Sequence, residues 1–308
     1  MPSSIHILGA GAIGLLHTSH LLKQGMDCTL ITKTFQSSKT FSINSQLYHC
    51  KSQLASHSSK IENLLICTKS YDVKSAFASI QKRIQKDSNV ILICNGSLSI
   101  DLPHFNLIHG VTTHGVALES QNTYVHSGTG TTIFGSLKSH PISPEVAQII
   151  QAMETLNSAW SLDIHESLAL KHCVNAFINP LTAVLDIQNG KLSDQVKVLE
   201  IISEELSLVF PQFVASQIKR EIQTVIRNTA SNSSSMLMDL RAGRRTENEE
   251  IGGWVLSVAK ELNVRLPVLN TLYEIVKMKE SLSNCSFRGN QQISGGGQGL
   301  DNIRGCNF

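Results

Sequence analysis

The rhythm of hydrophobic and polar positions changes near the middle of the 308-residue chain. In the first half, short continuous apolar runs alternate with amphipathic stretches. Ser4-Ile5-His6-Ile7-Leu8, Asp27 to Thr32, Asn63 to Thr68, Val90 to Cys94, Leu107 to His114 and Thr131 to Gly135 predict strands, and the continuous apolar runs Asn63 to Thr68 and Val90 to Cys94 predict buried ones. Between them, Leu15 to Gln24, Asp72 to Ile84 and Glu145 to Leu156 carry apolar residues at helical spacing. From Ile164 onward the strand runs disappear. Helices are predicted through Lys171 to Thr182, Gln195 to Phe210, Pro211 to Asn228, from Met236, from Thr246-Glu247 to Leu262, and from Pro267 to Glu280. The expectation is an α/β fold: an N-terminal Rossmann-type dinucleotide-binding domain, residues 1–163, followed by an all-helical C-terminal domain, residues 164–281. Residues 282–308, rich in Gly, Gln and Asn without periodicity, read as a disordered tail.

Composition narrows the classes. Hydrophobic residues make up 41% and charged residues 16%, the balance of a folded globular protein. A formal charge of +2 is too small to point to nucleic acid as the main partner. No uninterrupted apolar run approaches the ~18 residues of a membrane span, and the N-terminus shows no charged-then-apolar export pattern. Seven cysteines are scattered, odd in number and never spaced C-x-x-C, which favours reduced thiols in a cytoplasmic protein over a disulfide framework or a metal site.

The chemistry begins at Gly9-Ala10-Gly11-Ala12-Ile13-Gly14, which follows the first strand and opens a helix. In that context Gly9 permits a tight turn, Gly11 lets backbone approach a pyrophosphate and Gly14 lets helix and strand pack closely. The second strand ends in Thr32-Lys33-Thr34 with no acidic residue to grip a ribose 2′-hydroxyl. A cation with two hydroxyls suits a 2′-phosphate, favouring NADPH over NADH, with a solvated surface lysine as the alternative. Lys69 and Asn95 follow two further strands, where open parallel sheets bind ligands, although either could be a turn residue. His114 also ends a strand, where a structural hydrogen bond competes with a role as a base.

In the second half, Lys171, Asn175 and Asn179 stand four residues apart on a helix whose other positions, Val174, Phe177, Ile178 and Leu181, are apolar. Such a polar stripe requires hydrogen-bonding partners. Pro180 disfavours helical geometry at Asn179, so a kink is expected there. Asp186 to Leu192 reads as a turn with Asn189-Gly190 at its tip. Ser234 or Ser235 starts a helix, as a plain cap or as a ligand contact.

These residues resemble the 2-dehydropantoate 2-reductase (ketopantoate reductase) family. The likeness rests on Gly9 to Gly14, Cys94-Asn95-Gly96, Gly110 to His114, Lys171 with Asn175 and Asn179-Pro180-Leu181-Thr182, and Asn189-Gly190. It continues in Ser234-Ser235-Met236-Leu237 with Asp239, and in Arg245-Thr246-Glu247. The resemblance implies NADPH-dependent reduction of ketopantoate to pantoate, a step toward pantothenate and coenzyme A; the expected assembly is a monomer or homodimer. It implies that Lys171 is the proton donor and that Asn95 touches both cofactor and substrate. Asn175, Asn179, Asn189, Asn232, Ser233, Ser234 and Ser235 would hold the keto acid. Gly9, Ala10, Gly11, Ala12, Ile13 and Gly14 with Lys33, Lys69, Val116 and Glu247 would contact NADPH. Lys33 stands where an arginine is common, replacing a planar fork by a point charge. A related reductase of another 2-keto acid and a non-catalytic NADPH sensor are the competing readings.

Overall fold

The computed structural model describes residues 4–293 except 35, 97, 99, 101, 103–105 and 139–141. Its first element, β1 (Ser4–Leu8), runs through the glycine turn into α1 (Ala12–Lys23) and returns as β2 (Asp27–Thr32), parallel to β1. The next elements are the hairpin β3 (Ser38–Ile43) and β4 (Gln46–Leu54), then β5 (Ile61–Ile66), α2 (Ser70–Ile80) and β6 (Ile84–Leu92). After β7 (Asn106–Thr112) come the hairpin β8 (Gly115–Ser120) and β9 (Thr123–Gly128), then β10 (Thr132–Gly135), α3 (Pro144–Ala152) and the short β11 (Ser158–Trp160).

All described strands join one sheet in the order β11-β10-β7-β6-β5-β1-β2-β4-β3-β9-β8. The stretch from β7 to β4 is parallel, and its inner strands are apolar on both faces. One face packs Leu15, Leu16 and Leu21 of α1 with Val146, Ile149 and Ile150 of α3. The other packs Val73, Phe77 and Ile80 of α2. The hairpins β3–β4 and β8–β9 extend the sheet beyond the predicted strands. Their polar faces hide them from a search for continuous apolar runs. At the first tip Asn44 and Ser45 both take positive φ, 48° and 64°, the geometry of a tight two-residue hairpin turn.

The second half is helical: α4 (Ile164–Leu185), α5 (Val196–Val209), α6 (Ala215–Asn228), α7 (Ser235–Arg241), α8 (Trp254–Glu261) and α9 (Pro267–Ile293). The core is shared by Phe177, Ile178 and Leu181 of α4 with Ile202, Leu206, Ile218, Ile222 and Val276 of the surrounding helices. Buried Glu205 of α5 accepts the N–H groups of Val268 (2.8 Å) and Leu269 (2.9 Å), closing the positive end of α9.

Four features of the helical half bear on the expectations. Helix α4 is apolar and long enough to cross a membrane by composition, but it is mostly buried inside the protein as a core helix. In place of one helix from Thr246 to Leu262, a π-helical turn, Glu249–Gly253, precedes α8. The pair Gly252-Gly253 leaves room there for the Tyr273 ring. The last helix continues past Glu280 to Ile293, through the start of the segment read as tail; residues 294–308 of that segment lie outside the described residues. Helix α4 is unbroken across Pro180. The hydroxyl of Thr182 donates to the carbonyls of Ile178 (2.7 Å) and Asn179 (3.1 Å) one turn behind it.

Candidate active site

The glycine turn is closely packed. Gly9 has φ 115°, and a Cβ there would lie 2.6 Å from the Cys67 carbonyl carbon. A Cβ on Gly14 would lie 2.0 Å from the Gly9 carbonyl oxygen. Gly11 differs: nothing lies within 4 Å of its Cβ position. It caps α1 without a side-chain hydrogen bond, so the first N–H groups of the helix have no side-chain acceptor. A bare, positively polarised helix end beside an open glycine is the cradle that a dinucleotide diphosphate fits.

Lys33 follows β2, exposed and without a hydrogen bond or ion pair among the described residues. Val116, on β8, packs partly buried against the core on the α1 face. Lys69 precedes α2 and is engaged by the helical half: its Nζ lies 2.6 Å from Asp239 Oδ2 and 3.4 Å from Glu247 Oε2. Burial opposes its charge, but the carboxylates of Glu247 and Asp239 outweigh burial and hold the ammonium above its ordinary pKa. Asn95 Nδ2 donates to Glu247 Oε2 at 3.0 Å. Ser70 donates to Glu247 Oε1 through its amide at 3.0 Å and its hydroxyl at 2.8 Å. Gly96 takes φ 61°, and a Cβ there would be 2.7 Å from the Glu250 carbonyl oxygen, so this strand-end loop touches the helical half through bare backbone.

Lys171 and Asn175 of α4 line a small pocket together with Cys94, Gly96, Gly110, Val111, Leu168 and His172. The Lys171 ammonium donates to the carbonyl of Thr112, at the end of β7, at 2.7 Å. Burial pulls its pKa down to about 8, against the opposing influence of Cys94 and Glu247. The carboxamides of Asn175 and of buried Asn179 make no side-chain hydrogen bond among the described residues, so both keep their capacity for a ligand.

The remaining predicted contacts divide. Asn189 is buried rather than at a solvent-facing tip. Its Nδ2 donates to Thr229 Oγ1 at 2.9 Å while its Oδ1 is buried without a partner. Its main-chain N–H donates to the Asn232 carbonyl, which ties the two segments together. Ser234 is a helix cap: its hydroxyl oxygen accepts Leu237 N–H at 3.1 Å, and the same hydroxyl pairs with Thr182 Oγ1 at 2.7 Å. Ser233 is half-buried, and Ser235, the first residue of α7, is exposed. His114 is held structurally, its Nδ1 beside His126 Nε2 (2.9 Å) and Gly130 N–H (3.0 Å) and its Nε2 beside the Leu156 carbonyl. No group of three or more potential metal ligands occurs among the described residues.

Two partners escaped the sequence reading. Asp239, in the quoted Ser-Ser-Met-Leu segment, binds both Lys69 and Arg244. Ser70, directly after Lys69, binds Glu247. Both partnerships join residues about 170 positions apart, beyond any local signal.

A doubly wound sheet with a bare glycine turn, joined to a helical domain that brings a partly buried lysine to its strand ends, defines a two-domain oxidoreductase of the nucleotide-binding class. The chain belongs to the ketopantoate reductase PanE/ApbA family: residues 5–139 match its N-terminal model and residues 163–280 its C-terminal one. It is 31% identical over 291 residues to the 2-dehydropantoate 2-reductase of Salmonella typhimurium, covering 90% of this chain and 95% of that protein. The corresponding protein of Pyrococcus horikoshii is 29% identical over 92% of this chain and 99% of its own length. Among solved structures, a probable 2-dehydropantoate 2-reductase from Bacillus subtilis superposes with a TM-score of 0.72 at 25% identity, covering 90% of this chain and all of that one. D-mandelate dehydrogenase, solved with NADH and anilino(oxo)acetate, shares the fold with a TM-score of 0.78 at 21% identity over 92% of this chain and 100% of that one.

Proposed function

We propose that this chain reduces 2-dehydropantoate to pantoate with NADPH, as a cytoplasmic enzyme acting as a monomer or homodimer on the route to pantothenate and coenzyme A. The observation that carries the reading is Lys171. It is a lysine on a core helix, with its pKa pulled to about 8, in the same pocket as the strand-end residues Cys94 and Gly96. When bound, the reduced nicotinamide supplies a hydride to a ketone carbon. Lys171 answers the charge that develops on the ketone oxygen and delivers the proton from Nζ. The Thr112 carbonyl fixes the position of that ammonium before substrate arrives. Asn175 and Asn179, each both donor and acceptor, suit a substrate that carries a hydroxyl and a carboxylate. The open Gly11 and the uncapped start of α1 support the diphosphate assignment, and exposed Lys33 supports a 2′-phosphate and hence NADPH.

The test is oxidation of NADPH, followed at steady state, with ketopantoate set against a panel of 2-keto acids. Ketopantoate is expected to give the highest kcat/KM. A higher value for another 2-keto acid would assign the chain to that substrate, and NADPH binding without turnover of any would make it a sensor. The same assay with NADH reads the contribution of Lys33.

A further inference from the structure

Glu247 belongs to the helical half, yet each hydrogen bond to its carboxylate among the described residues comes from the nucleotide-binding half. An ionised carboxylate offers roughly four acceptor positions, and four donors converge on it. The two oxygens are held differently. Oε1 takes the amide and hydroxyl of Ser70, a buried residue at the start of the eleven-residue helix α2. That helix has no side-chain cap from its own flanking residue, so Glu247 supplies the cap from the other domain and meets its positive end. Oε2 takes Asn95 and Lys69, both at the ends of partly buried side chains. Lys69 also has a shorter contact with Asp239 Oδ2, 2.6 Å against 3.4 Å, so it can leave Glu247 and remain paired.

We infer that Ser70 is a positioning residue that anchors Glu247 through Oε1, while Oε2 is the exchangeable side, where Asn95 and Lys69 give way to a hydroxyl of the bound cofactor. This rests on the reading that Glu247 contacts NADPH. Glu247 is thereby aimed from the domain that holds the cofactor, and cofactor affinity depends on a serine that need not touch it.

The test compares Ser70→Ala, Ser70→Thr, Glu247→Gln and the Ser70→Ala/Glu247→Gln double variant by NADPH fluorescence titration and by steady-state kinetics. Ser70→Ala is expected to weaken NADPH binding roughly tenfold, the lower end for a hydrogen bond to a charged group because the amide remains. KM for NADPH should rise by more than kcat falls. Ser70→Thr, which keeps the hydroxyl, should restore most of the affinity. In the Glu247→Gln background the alanine change should add little, because its effect passes through the carboxylate. Unchanged affinity in Ser70→Ala with weakened affinity in Glu247→Gln would overturn the inference. Equal losses from Ser70→Ala in both backgrounds would also overturn it, reducing Ser70 to a structural role. If Glu247→Gln itself binds NADPH normally, the reading of Glu247 as a cofactor contact fails instead. Thermal melts of each variant separate these outcomes from loss of fold, with Ser70→Thr carrying the comparison should the alanine variant not fold.

Discussion

Lys171 concentrates the chemistry because it must be charged to act and its ammonium sits where desolvation makes charge costly. With its pKa held near 8, it is protonated below that value and loses its proton above it. kcat/KM for the keto acid should therefore fall as pH rises through about 8, a limb read directly from the free-enzyme pH profile. Lys171→Ala should lower kcat by about 10²–10⁴-fold while NADPH still binds, as a fluorescence titration would show. A variant with near-normal turnover, or a limb displaced toward 10.5, would remove Lys171 from the role of acid. The stripe of Lys171, Asn175 and Asn179 was legible in the sequence because one helix carries all three. The salt link from Lys69 to Asp239 and the cap on α2 by Glu247 were not, since each joins segments that only the folded chain brings together. Ser234 shows a further limit: cap and ligand contact share one sequence signature, and its bonds to Leu237 and Thr182 show the cap alone.

At the scale of elements, the C-terminal part of α4 is held by side-chain bonds. Thr182 links it to the N-terminus of α7 through the Ser234 oxygen, and Lys279 of α9 donates to the carbonyls of Ala183 (3.0 Å) and Val184 (2.8 Å) at its C-terminal end. Removing the Ser234 hydroxyl strands the Leu237 amide and takes one of the partners of the Thr182 hydroxyl. Ser234→Ala should cost about 1–2 kcal/mol, seen as a lower urea midpoint with an unchanged slope; no shift would mean that water replaces the cap. The buried strands of the first half were legible from continuous apolar runs, and the helices from spacing. The hairpins β3–β4 and β8–β9 escaped because alternation over a few residues, such as Phe41 and Ile43 against Tyr48 and Cys50, is weak between polar neighbours. Their turns depend on positive φ at Asn44, Ser45 and Asn122, positions filled by no glycine.

For the whole molecule, several histidines are built in as neutral groups. Burial lowers the pKa of His17 to about 3, and of His109 and His172 to about 4, from 6.5. Below 6.5 the unfolded chain binds protons that the folded chain does not, so stability falls with pH. Each such histidine contributes up to about 1.4 kcal/mol per pH unit between 6.5 and its folded value. Urea midpoints should drop steeply from pH 7 to 4.5, and His17→Leu should flatten the slope, because both ring nitrogens of His17 are buried without a partner. An unchanged slope would show that His17 takes up its proton in the folded state.

The amide of Ser70 has an equally practical consequence. At the first turn of a helix such a group has no acceptor within its own helix; here its acceptor is a carboxylate from the other domain. Whenever the domains part, that hydrogen is bare to solvent, and deuterium can replace it. The exchange rate at this one peptide group is a clock for the opening of the cleft, readable by mass spectrometry with neither substrate nor cofactor present.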